Sequence, residues 1–383
     1  MTLTAELPAA AIARTAPAII DCDIHNTIPS DAALAEFLPE RWRRHLEGYS
    51  IRFYYPGAYY PRLNPNAART DAWPPSGQIP GSDLGFMRAQ LLDAWNVAYG
   101  ILNPLYLAGE QANQDYGAAL ATALNAWLVA AWLDPEPRLR SSMVVPYEDG
   151  ELAAAEIERQ ASDRRFVQVL LPARTREPLG RRKYWKLYAA AEKHGLPIAL
   201  HFGGAGGWPL TGAGWPSFYY EDHSGMPQAF QAQIISLIYE GVFERYPALK
   251  VILVEGGFAW LPPLMWRMDR AWQRLRDEVP HVRQAPSETI RQHFWITTQP
   301  IEEPSRPVYF HQLLDQLHMD DRLMFSTDYP HWDFDSPDRA LPAGLAPELK
   351  ARIMGGNARA LYALPPPGAD GVHLADGVHL ADG

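Results

Sequence analysis

Eight short apolar runs, each followed by a helical or loop-rich stretch, constrain this chain more than any other feature. They fall at residues 19–26, Val97 to Asn103, Leu139 to Tyr147, Phe166 to Leu171, Ile198 to His201, Lys250 to Glu255, Phe294 to Thr298 and Arg322 to Asp328. Strands alternating with helices are the pattern of a closed parallel barrel. The expected class is α/β, a distorted (β/α)8 TIM barrel with aromatic-rich loop insertions.

The ends of these runs carry the chemistry. His25, His201, Glu255 and Asp328 end the first, fifth, sixth and eighth strands, and barrels of this kind build their sites at C-terminal strand ends. In Ile19-Ile20-Asp21-Cys22-Asp23-Ile24-His25, residues 23 and 25 share one strand face. That suits a metal ion or a buried polar pair. Cys22 is the only cysteine, so no intrachain disulfide forms; it reads as a core thiol on the other face.

Leu120, Leu124, Trp127, Leu128 and Trp132 recur at helical spacing. A helix over 181–194 is closed by His194-Gly195-Leu196-Pro197, a glycine cap followed by proline. A further amphipathic helix is expected from about Pro227 to Arg245, and a closing one from Asn357 to Leu364. Two stretches read as insertions over one end of the barrel, 27–90 and 207–226. They hold Phe53-Tyr54-Tyr55, Tyr59-Tyr60, Trp73, Trp208, Trp215 and Phe218-Tyr219-Tyr220. The barrel is assigned to 19–364, with an N-terminal extension at 1–18. The repeat-bearing tail at 365–383 is expected to be disordered, and its histidines are not taken as ligands.

Lys plus Arg number 34 against 44 Asp plus Glu, a net charge of −10 with no basic block. This argues against a nucleic-acid partner. No signal-peptide pattern opens the chain, and no run approaches the roughly 20 apolar residues of a membrane span. A cytoplasmic protein without a membrane partner is expected.

Asp21-x-Asp23-x-His25, Leu200-His201-Phe202-Gly203, Glu255-Gly256-Gly257, Thr327-Asp328-Tyr329-Pro330-His331 and Gly356-Asn357-Ala358-Arg359 together resemble the amidohydrolase superfamily, in its amidohydrolase-related (amidohydrolase 2) branch. The resemblance covers about residues 19–364. It implies metal ligands Asp23, His25, His201 and Asp328. Members include hydrolases and non-oxidative decarboxylases. Two positions depart from the usual pattern: Asp23 and Glu255 stand where imidazoles are common. With His223 of Glu221-Asp222-His223, the candidate ligands become three carboxylates and three imidazoles, a mixed set that suits Fe or Mn.

This set resembles a dinuclear non-heme iron offshoot that hydroxylates substrates with O₂. The first expectation is therefore a monooxygenase with a dinuclear Fe or Fe/Mn centre, fed by a reductase or ferredoxin and acting on a small organic or natural-product-like molecule. The alternative is a hydrolase or non-oxidative decarboxylase with one Zn or Mn, Glu255 or His223 acting as base. A silent barrel serving as a partner subunit is a third class, opposed by the near-complete ligand set. His331, Thr298 and Gln299 are expected to support the site or face substrate. Glu302 and Glu303 read as a solvated helix start. Association into a homo-oligomer is expected from the resemblance alone.

Overall fold

The computed structural model describes residues 19–49, 67–204, 209 and 211–366. The aromatic runs at 53–60, Trp208, the extension at 1–18 and the repeats beyond 366 lie outside them. Eight strands form one parallel sheet in sequential order: β1 (Ile19–Ile24), β2 (Val97–Leu102), β3 (Leu139–Val144), β4 (Phe166–Arg174), β5 (Ile198–Gly204), β6 (Val251–Val254), β7 (Phe294–Thr297) and β8 (Leu323–Met324). The last strand has only two ladder residues. The ring is joined beyond them, where Cys22 N donates to Phe325 O (3.0 Å), Asp328 N to Asp23 O (3.1 Å) and His25 N to Tyr329 O (2.7 Å). A (β/α)8 barrel is the observed fold.

Strands covered on both faces are mostly apolar; β2 and β3 are buried throughout, β3 carrying Arg140, Ser141 and Ser142 among its apolar residues. One apolar cluster fills the layer between strands and helices. A second takes residues from seven of the eight strands, including Ile20, Cys22, Ile101, Val254 and Met324, and adds Ala358 and Leu361 of the closing helix Asn357–Tyr362. Only the barrel interior touches so many strands, so Cys22 is an interior core thiol. Beneath the site, Asp21 accepts from Thr327 N (2.9 Å) and Thr327 Oγ1 (2.6 Å), pinning the eighth strand's end to the first. Burial pushes its carboxyl up to about 7 against those hydrogen bonds.

Local signals set several helix starts. Ser30, Asp83, Asn113 and Asp149 each accept from a backbone N–H of the helix they open. Gly195 takes a left-handed φ of 67° after the helix Trp185–His194, as its cap position requires.

Three expectations need correction. The first insertion contains helices at Asp31–Ala35 and Glu40–Tyr49, whose short, proline-flanked spans hide their periodicity. The helix expected from Pro227 begins at Tyr219, carries Pro227 inside it and ends at Tyr239; Gly241 (φ 79°) separates it from Val242–Arg245. Its first turn forms because Glu221 accepts from Ser217 N (2.5 Å) and Phe218 N (2.8 Å). Finally, Gln114–Leu133 is long and apolar enough to cross a membrane by length and composition. Its Leu120, Leu124, Trp127, Leu128 and Trp132 are spent on the strand–helix core, which accounts for that apolar surface.

Candidate metal centre

The strand ends converge as the sequence suggests. His25 Nε2 lies 2.9 Å from Asp328 Oδ1 and 3.3 Å from Asp23 Oδ1. His201 Nε2 lies 3.3 Å from Asp23 Oδ2 and 3.4 Å from Glu255 Oε2. Glu255 and Asp328 turn out of their strands with φ of 58° and 61°. Such left-handed values are uncommon for non-glycine residues.

The imidazoles are aimed by their other nitrogens. Nδ1 of His25 meets the carbonyl of Asn103 (2.8 Å), and Nδ1 of His201 that of Phe202 (2.6 Å). A carbonyl only accepts, so each Nδ1 carries a hydrogen and each neutral ring offers its lone pair at Nε2. Both Nε2 atoms, Asp23 Oδ2 and Asp328 Oδ1 are buried and lack a well-formed hydrogen bond among the described residues. Leaving four such atoms unsatisfied is costly. Donor atoms of Asp23, His25 and His201 cluster with Glu255, and those of Asp328 with His25 and Glu255, so the residues fit a divalent metal.

The electrostatics agree. Burial opposes a charge on His25, but Asp23 and Asp328 outweigh it and push the ring up to about 9. Burial would raise Asp328, yet His331 and His25 hold it below the usual carboxylate range. Glu255 is pushed well above that range by burial, then by Asp328, Asp333 and Asp23. Clustered carboxylates thus favour positive charge among them.

Glu255 belongs to three donor groups: with Asp23, His25 and His201; with His25, Asp328 and His331; and with His223 and Asp333. Within each, donor atoms lie within 4.8 Å of one another. His223 therefore stands apart from the first group. It projects from the helix Tyr219–Tyr239, and its Nε2 meets Asp333 Oδ2 at 2.9 Å. Gln299 links the two sides, its amide nitrogen donating to Asp328 Oδ2 (3.1 Å) and Asp333 Oδ2 (3.0 Å). Tyr219 and Trp332 lie beside His223 at ring separations of 5.5 and 5.4 Å, forming an aromatic wall.

His331 sits against the centre, its Nδ1 2.7 Å from Asp328 Oδ1 and its ring stacked on His25 at 4.3 Å. The first insertion reaches this edge, where Ala68 pairs with His331 and Arg69 N donates to Pro330 O. Thr298 does not join the site: its Oγ1 accepts from Ser326 N, tying the ends of β7 and β8 together. Glu302 is not a solvated helix start. Its Oε1 accepts from Phe258 N and Ala259 N, both at 2.9 Å, bracing the turn that follows Glu255.

Sequence reasoning missed Asn103 and Asp333. Asn103 carries the same signal as the others, a polar residue closing an apolar strand. Asp333 lies in an irregular loop and gives none.

Residues 20–364 match the family model Amidohydro_2, described as amidohydrolase. The chain belongs to this amidohydrolase family. This amidohydrolase is 28% identical over 303 residues to the gamma-resorcylate decarboxylase of Polaromonas sp. strain JS666, covering 74% of this chain and 88% of the relative. Two solved structures share its fold. One is a 2,6-dihydroxybenzoate decarboxylase complexed with 2,6-dihydroxybenzoate (21% identity, TM-score 0.65, 91% of this chain and 100% of that one). The other is the dihydroxybenzoic acid decarboxylase of Polaromonas sp. JS666 with bound manganese and the inhibitor 2-nitroresorcinol (22%, 0.64, 91% and 97%).

These relatives overturn the expected O₂-dependent hydroxylase. The physical reason is that carboxylates in place of imidazoles do not select oxygen chemistry. A hard cation such as Mn²⁺ accepts the same mixed donors. The coarser reading, a metal-dependent enzyme of the amidohydrolase family, stands.

Proposed function

We propose that this amidohydrolase is a divalent-metal-dependent, non-oxidative decarboxylase of a hydroxylated aromatic carboxylic acid. The observation that carries this is the pair of buried donor groups at the strand ends, Asp23, His25 and His201 with Glu255, and Asp328 and His331 with His25 and Glu255, in a chain whose relatives include decarboxylases. When bound, Mn²⁺ or Zn²⁺ supplies a Lewis-acid centre for carboxylate and phenolate oxygens.

The rest falls to side chains. Decarboxylation breaks the bond between ring carbon and carboxylate; the electron pair stays on the ring carbon, a proton joins it, and CO₂ leaves. No oxidant or reductant is needed. Glu255, shared by all three donor groups, holds that proton at a carboxylate oxygen and delivers it. His223, held by Asp333, and the neighbouring Tyr219 and Trp332 offer tilted ring faces against which an aromatic ring can pack. Gln299 holds Asp328 and Asp333 in register.

A panel of hydroxybenzoates incubated with the Mn²⁺-reconstituted protein tests this. Loss of the carboxylate from at least one ortho-hydroxylated member is expected, and no turnover across the panel would count against the reading. A second reading, a two-metal hydrolase, is favoured by one observation: Glu255 also completes a donor group with His223 and Asp333, as a bridging carboxylate would. Metal content separates them, one ion per chain for the first and two for the second.

A further inference from the structure

Asn103 touches two of the proposed metal ligands at once. Its carbonyl accepts from His25 Nδ1 (2.8 Å), and its amide nitrogen donates to Asp23 Oδ1 (2.8 Å) and to Cys22 O (3.1 Å). Both partners of that nitrogen only accept, so the amide can stand only one way round. Its Oδ1 therefore faces Ser142 Oγ (2.5 Å) and Gln168 (3.0 Å). An oxygen there demands donors, so Gln168 presents its nitrogen, which also reaches Ser142 Oγ at 2.8 Å. Gln168 Oε1 is left facing the Tyr362 hydroxyl at 2.7 Å, which must donate. Asn103, Ser142 and Gln168 are fully buried, so each link is fixed by the next. Tyr362 is the last residue of the closing helix.

We infer that Tyr362, Gln168, Ser142 and Asn103 form a directional relay of positioning residues, which ties back Asp23 Oδ1 and turns Oδ2 to the metal. The relay rests on the proposed ligand role of Asp23 and His25. Removing the Tyr362 hydroxyl leaves Gln168 Oε1 buried without its donor. Gln168 then keeps its nitrogen on Asn103 but loses its anchor at Oε1, which loosens the donor that aligns Asn103. Partners behind metal ligands typically change affinity by about 10–100-fold.

The test is Mn²⁺ titration of the metal-free full chain, free Mn²⁺ being read by EPR, for wild type, Tyr362→Phe and Gln168→Glu. Melting temperatures of the metal-free proteins are recorded alongside. Tyr362→Phe is expected to weaken Mn²⁺ binding about tenfold. Gln168→Glu, which removes one of the two donors to Asn103 Oδ1 and sets a carboxylate against it, weakens it further. Both are expected to melt below wild type, because each leaves a buried polar atom unpaired; titrating well below each melting temperature separates lost positioning from lost folding. If Tyr362→Phe does not fold, Gln168→Glu reads the same relay from its middle. Affinities within twofold of wild type in both variants overturn the relay and leave the ligand assignment standing. A wild-type chain that takes up no Mn²⁺ overturns both.

Discussion

His25 and Asp328 come from opposite ends of the barrel's chain, yet Nε2 of one lies 2.9 Å from Oδ1 of the other. Closure of β8 on β1 makes that contact, and with it the proposed metal position. Asp328→Asn should therefore do more than remove a charge. Metal affinity is expected to fall by more than about 100-fold, with activity lost in proportion. Metal content after gel filtration checks this; a variant retaining wild-type metal would remove Asp328 from the ligand set.

His223 is predicted to act on substrate rather than on the first donor group. His223→Gln should keep one metal per chain and lower kcat/KM by about 100-fold, the usual scale for a proton-handling or orienting side chain. A fall from two ions to one would instead place His223 among the ligands of a two-metal centre.

Gly257 ties the site to its support. Its φ is 62°, and a Cβ there would meet Glu302 Oε1 at 2.6 Å. Gly257→Ala should cost about 1–3 kcal/mol and shift the turn bearing Glu255. Thermal melts and kcat should fall together; an unchanged melting temperature would contradict the bracing role of Glu302.

Glu136 gives a pH prediction remote from the metal, just before β3. Burial alone would raise its carboxyl, but hydrogen bonds from Arg138 and Arg88 outweigh burial and lower it to about 2 from 4.5. Its stabilising contribution is thus fully present above pH 4.5 and lost as pH falls from there toward 2. Arg88 is partly exposed and screened, so the contribution is about 1–3 kcal/mol. Glu136→Gln should lower stability at neutral pH, flatten the acid limb of the stability profile and leave metal binding unchanged. Denaturant melts from pH 2 to 7 measure it.

What the sequence disclosed follows from how local each signal is. A strand buried on both faces is mostly apolar, so a polar residue at its end stands out; His25, His201, Glu255 and Asp328 were legible for that reason, and Asn103 carries the same signal. The start of the helix at Tyr219 was hidden because Pro227 mimics a first-turn proline, while the Glu221 bonds that open the helix depend on a preceding turn. Asp333 reaches the centre through the path of the β8 loop, and Tyr362 reaches Gln168 through the docking of the last helix; neither is written in a local pattern. Metal chemistry was the least legible: carboxylate content narrows the metal but not the reaction.

The most direct test of the central claim uses a carboxyl-¹³C-labelled hydroxybenzoate that the panel identifies as a substrate, with the Mn²⁺-loaded protein in D₂O under argon. The account predicts one ¹³CO₂ and one deuterium placed on the former carboxyl-bearing carbon for each substrate consumed, with Glu255→Gln greatly slowed. Consumption of substrate with the labelled carboxylate retained in the product would contradict it.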